Sequence, residues 1–108
     1  MSDTVINLAS AFSPAPAGRN YDDGPFPGEK FREELLIPAL RSFDRVTVEL
    51  DGTSGMGSSF LEEAFGGLVR AGFTPEELRQ RLHVESSRPS YKERIWIYIQ
   101  GAQVEAHH

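Results

Sequence analysis

Two adjacent hydroxyls, Ser58 and Ser59, close the glycine-rich run "DGTSGMGSS" (residues 51–59), after which the chain turns apolar with "FLEEAFGGL". Hydroxyls so placed can serve four kinds of chemistry: phosphate binding, nucleophilic catalysis, acceptance of a phosphoryl group, or the capping of a helix. For phosphate binding, Gly52 and Gly57 with Ser58 and Ser59 fit G-x-x-x-x-G-K-[ST] at every position but the lysine. That lysine supplies the charge on the β/γ-phosphates, and Glu49 and Asp51 make the approach acidic. A hydrolase elbow, G-x-S-x-G, is absent. A triad would also need a histidine held by a carboxylate, and the sequence gives no reason to set His83 beside Ser58. No H-E-x-x-H or comparable cluster marks a metal site, and the carboxylate pairs Glu62–Glu63, Glu33–Glu34 and Asp22–Asp23 read as solvated faces. For capping, either serine can satisfy an orphan N–H. Ser59 with Glu62 three residues on would make a capping box, but that leaves Gly52, Gly55 and Gly57 without a purpose. The fourth reading is phosphorylation: a phosphoserine at a helix start is stabilised by exposed N–H groups and the helix dipole.

A second candidate lies upstream. The segment 13–30 carries Pro14, Pro16, Gly18, Gly24, Pro25, Pro27 and Gly28, so it reads as a loop or a pair of loosely paired strands. Gly28 opens a predicted helix, so an anion could rest on its free N–H groups with Arg19 nearby; the alternative, which the composition favours, is a tight turn that needs glycine and proline geometry.

The elements that must position these residues follow from periodicity. Val5, Ile6, Leu8, Ala9 and Phe12 predict a first strand. Phe31, Leu35, Leu36 and Leu40 recur at helical spacing, with glutamates early and Arg41 late, as the helix dipole favours. Pro38 predicts a kink or break there. "RVTVEL" (45–50) alternates as a strand. Phe60, Leu61, Ala64, Phe65, Leu68 and Val69 form a wide apolar helical face. Gly66 and Gly67 within it point to close packing or local flexibility, and Gly72 to a C-terminal cap. Thr74, Pro75 and Glu77 read as cap, first position and capping box of a short helix, and "HVESS" as a strand with Val84 inward. "SYKERIWIYIQG" is ambiguous: Ile95, Ile97 and Ile99 alternate as in a strand, while Ser90, Glu93 and the length of the segment favour a helix.

Bulk properties narrow the classes. The chain has 108 residues and a net charge of −5, a size that suits one domain and a sign that disfavours nucleic acid. It has no cysteine, which excludes disulfides and thiolate metal sites and fits a reducing cytoplasm. No signal-peptide pattern opens it, and no apolar run approaches the ~20 residues of a membrane span.

The residues "VTVELDGTSGMGSSFLEEAFGGL" resemble the core of STAS domains, named for sulphate transporters and anti-sigma-factor antagonists. Together with "GRNYDDGPFPGEKFREELLIPAL", they are similar to STAS-like domains of a bacterial family without assigned function, over roughly residues 18–103. The resemblance implies an α/β fold: a small mixed sheet with parallel pairs, its helices packed mainly on one face. It implies a non-enzymatic role in protein–protein signalling, with an ATPase-fold anti-sigma factor or a histidine-kinase-like protein as partner. Its phosphoacceptor serine falls on Ser58, followed by Ser59. Gly57 stands where the motif has aspartate, and Phe60 where it has glycine. The partner-binding loop would comprise Asp51, Gly55, Met56, Gly57 and Phe60. A single domain over 1–108 is expected, with a core from about 5 to 103, a disordered tail over 104–108, and no cofactor, metal or catalytic residue. The competing expectation is a domain holding a nucleotide or other phosphate-bearing small molecule between loops 52–59 and 18–29.

Overall fold

The computed structural model describes residues 2–102; the expectation for the tail lies outside them. Three strands, β1 (Asp3–Asn7), β2 (Arg45–Glu49) and β3 (Leu82–Glu85), form one sheet in the order β1-β2-β3, with both pairs parallel. Parallel neighbours require crossovers, and crossovers are right-handed. When strands are added in chain order in one direction, that handedness sends every connection to the same side. The burial pattern agrees: Ile6, Val46, Val48, Leu82 and Val84 are buried, whereas Val5 and His83 are exposed on the other face. This is the α/β sheet with one covered face that the resemblance implies.

The first predicted strand ends sooner than its apolar residues suggest. Asn7 turns the chain by accepting the Ser10 N–H on its side-chain oxygen at 3.0 Å, so Leu8–Ala11 form a short helix, α1. Side-chain bonds of this kind compete with strand continuation. The 13–30 segment is a loop, not a hairpin. Before α-helix begins at Gly28, its one regular element among the described residues is a 3₁₀ turn, Tyr21–Asp23.

Two helices dominate the covered face. The first, α2, spans 28–42 as Gly28–Phe31, a π-helical turn Arg32–Leu36, and Ile37–Ser42. The second, α3, spans 58–70 as Ser58–Leu61, a π-helical turn Glu62–Gly66, and Gly67–Arg70. Pro38 therefore neither breaks nor ends its helix. The widened turn just before it, closed by Ile37 N–H to the Arg32 carbonyl, relieves the clash a proline ring makes with the carbonyl four residues back. Gly72, at φ 116°, ends α3: the Phe73 N–H reaches the Leu68 carbonyl at 3.0 Å, closing the helix with a left-handed cap.

Helix α4 (Pro75–Arg81) begins as predicted, with Thr74 accepting the Glu77 N–H at 3.0 Å. The reciprocal half of the box is not made. Glu77 instead pairs with Arg81 at 2.6 Å, and Arg81 in turn donates to the carbonyls of Leu40 and Phe43 at the end of α2. The ambiguous C-terminal segment is a helix, α5 (Pro89–Gly101), capped by Arg88 rather than Ser90 because Pro89 takes the first helical position.

Candidate functional site

The loop 51–57 leaves the carboxyl end of β2 and delivers Ser58 and Ser59 as the first two residues of α3. Both are exposed. Neither caps the helix. Gly57 holds the cap position in extended conformation, φ −80° and ψ 167°, and has no side chain to close it. Among the described residues no acceptor satisfies the N–H of Ser58 or Ser59; the first bond of this end runs from Leu61 N–H to the Gly57 carbonyl at 3.2 Å. Two exposed hydroxyls thus share a helix end that retains its donors and the positive end of the dipole.

The loop is pinned along its length. Thr53 Oγ1 donates to the Leu50 carbonyl at 3.1 Å, Ser54 N–H to the Pro14 carbonyl at 2.7 Å, and Met56 N–H to the Tyr91 hydroxyl at 3.2 Å. Asp51 Oδ1 accepts both the N–H and the hydroxyl of Ser87, at 2.9 and 3.0 Å. Those two donors, the backbone N–H first, hold the Asp51 carboxyl below the usual carboxylate range. Gly52 and Gly55 sit at φ 100° and 142°, a region that side chains rarely enter. That need accounts for loop glycines that capping could not explain.

Of the residues expected to face a partner, Met56 and Phe60 are 6% and 1% exposed. They belong to the core and anchor the loop from beneath. Phe60 joins an aromatic cluster with Phe31 and Phe12 at centroid distances of 6.1 and 6.3 Å, and Phe12 meets Phe26 edge-on at 5.3 Å. Asp51, Gly57, Ser58 and Ser59 remain at the surface, with Gly55 half-buried.

The upstream candidate is closed by its own bonds. At the start of α2, Gly28 N–H donates to the Gly18 carbonyl and Glu29 N–H to the Arg19 carbonyl, both at 2.9 Å. The Arg19 guanidinium lies on Glu62 at 2.5 Å and Glu63 at 3.2 Å. An anion would find these donors spent, so Arg19 and Gly28 serve the packing of α2 against α3. The pair Glu62–Glu63 is likewise no solvated face. Glu63 also binds Arg32 at 2.7 Å, and Glu62 binds Arg70 at 2.7 Å. Bonds from Arg70, then Arg19, lower the Glu62 carboxyl below its ordinary range. Arg32 is 8% exposed and also donates to the Glu63 carbonyl at 2.6 Å.

Among the described residues no histidine stands beside the serines. His83 points to the open face of the sheet, whereas α3 lies on the covered one. Among the described residues no group of three His, Cys, Asp or Glu could hold a metal ion, and no helix is long and apolar enough to cross a membrane. Sequence reasoning missed Ser87 and Tyr91, which fix the loop. The strand register, which the residue types do not announce, brings them to it: Glu49 and Glu85 pair at the ends of β2 and β3, so the polar residues after each meet at the carboxyl end of the sheet, where open α/β folds place their sites.

Comparison with known proteins finds no match among curated proteins or among solved structures. Residues 27–92 match a family described as a STAS-like domain of unknown function (DUF4325). That span covers α2, β2, the pinned loop, α3, α4, β3 and the start of α5, and with it the chain belongs to the STAS-like family DUF4325.

Proposed function

We propose that this domain is a non-enzymatic, cytoplasmic regulatory module that binds a protein partner through loop 51–57 and the exposed start of α3, with Ser58 as the residue at which a kinase switches that contact. The observation that carries the reading is the pairing of two exposed hydroxyls with unsatisfied N–H groups on a loop fixed at both ends. A rigid loop spends little ordering entropy on binding. A phosphate there adds about −1.5 to −2 charges beside Asp51, and a docked partner meets that charge as repulsion or as a new anchor. The kinase supplies the chemistry, so the domain needs no base of its own. The partner class fitting the family resemblance is an ATPase-fold anti-sigma factor or a histidine-kinase-like protein.

The test compares wild type, Ser58→Ala and Ser58→Asp in capture of partners from the source cell, followed by titration of the captured protein. Wild type and Ser58→Ala are expected to bind alike, with Ser58→Asp shifted by at least about tenfold, the effect of ~1.4 kcal/mol. Equal affinity for all three removes the switch. Absence of any specific partner for all three removes the interaction reading itself.

A further inference from the structure

The run Ile95-Trp96-Ile97-Tyr98-Ile99 plays no part in the function proposed above. Five consecutive apolar residues on a helix point in every direction around its axis, and a helix apolar all round is one covered all round. Here one side is covered. Ile95 and Ile99 are fully buried, where α5 packs on the π-helical turn of α3. On the other side Ile97 is 65% exposed and Trp96 is half-buried. The two lie between Glu93 and Gln100, and the four residues line a shallow groove along the helix.

We propose that this face of α5 is the contact between two copies of the chain, packed as an antiparallel helix pair about a two-fold axis through Trp96 and Ile97. The spacing is that of any one helical stripe; the chemistry of the two polar residues that end it argues for a second copy. Glu93 and Gln100 flank the apolar pair symmetrically in sequence, three residues before Trp96 and three after Ile97. A two-fold axis at the pair's centre sets each Glu93 carboxylate against the carboxamide of Gln100 in the second copy, acceptor to donor, twice over. A parallel pairing would set Glu93 against Glu93, where like charges repel. The seam is then isologous, with Ile97 of each copy against Trp96 of the other, and tryptophan is the side chain that most often dominates such contacts.

Sedimentation of the chain between roughly 5 μM and 500 μM, which brackets weak self-association, tests this directly. A species of twice 12.0 kDa is expected at the upper end. Ile97→Glu sits at an exposed position, so its circular dichroism should match wild type while its dissociation constant rises at least tenfold. Gln100→Glu opposes carboxylates across the seam and should weaken the dimer. Adding Glu93→Lys to that variant should restore it. A single 12.0 kDa species throughout overturns the proposal, as does a dimer indifferent to Ile97→Glu. A dimer that Ile97→Glu weakens but both charge variants leave unchanged overturns the antiparallel register.

Discussion

Helices α2 and α3 are entered in the same way, yet their first turns have opposite fates. Each follows a loop rich in glycine, and each is capped by an extended residue with no side-chain bond, Pro27 for α2 and Gly57 for α3. At α2 the loop folds back and fills the helix end with the carbonyls of Gly18 and Arg19. At α3 the loop is tethered sideways, to Tyr91 and Ser87, and the helix end stays open. Neighbouring space differs in the same sense. A Cβ on Gly28 would stand 2.6 Å from the Phe60 carbonyl oxygen, while one on Gly57 would meet nothing within 4 Å. A glycine loop before a helix is therefore not by itself a site. What separates packing from presentation is where the loop's own carbonyls go.

The largest effect should come from the closed side. Arg32→Ala leaves the Glu63 carboxylate without its most buried partner, and breaking a buried pair from one side costs about 3 kcal/mol or more; urea unfolding should report it as a lower midpoint. Acid probes the same network. Glu62 has a depressed carboxyl in the fold, so its contribution is complete above the ordinary carboxylate value of about 4.3 and disappears as pH falls through the lower folded value. The urea midpoint should therefore drop below about pH 4, and Glu62→Gln should flatten that limb.

Gly28→Ala comes next. It forces α2 off the α3 backbone and should cost ~1–3 kcal/mol, as overpacking does. A neutral result would break the contrast between the two helix starts. On the open side, Tyr91→Phe removes the acceptor for the Met56 N–H and should cost about 1 kcal/mol, with faster hydrogen exchange at the Met56 amide and little change at β2. The smallest effect is expected at Gly57→Asp, which supplies the missing cap and should stabilise by a few tenths of a kcal/mol. A large loss there would mean that this helix end is packed after all.

Legibility in the sequence followed the same division. "RVTVEL" gave β2 because its alternation matches a sheet covered on one face only. Thr74 and Pro75 gave the start of α4 because capping is settled within one turn. Gly66 and Gly67 left close packing and local flexibility open, and the structure supplies the packing: the Tyr98 carbonyl at 3.3 Å from a Cβ on Gly66, and the Arg32 guanidinium over Gly67. The Arg19–Glu62–Arg70 network escaped because Arg19 lies more than forty residues before its partner, and charges so separated read as independent surface. Met56 read as a loop residue because its neighbours are glycine and serine, although the loop folds it inward. At Pro38 the sequence carried the correct conflict but not its resolution, since the backbone absorbs a proline by a local change of winding that no residue type announces.

That change of winding has a consequence for chain length. A π-helical turn closes five residues back instead of four, so α2 and α3 each carry one residue more than an α-helix needs to reach the same height. Removing that residue would leave an unbroken helix and an almost unchanged composition. Because the π turn takes up that residue locally, the side chains beyond it, Leu40 in α2 and Leu68 and Val69 in α3, would keep facing the core. A single-residue deletion within either π turn should therefore be better tolerated than one in β2, where the loss of a residue sends every later side chain to the opposite face of the sheet.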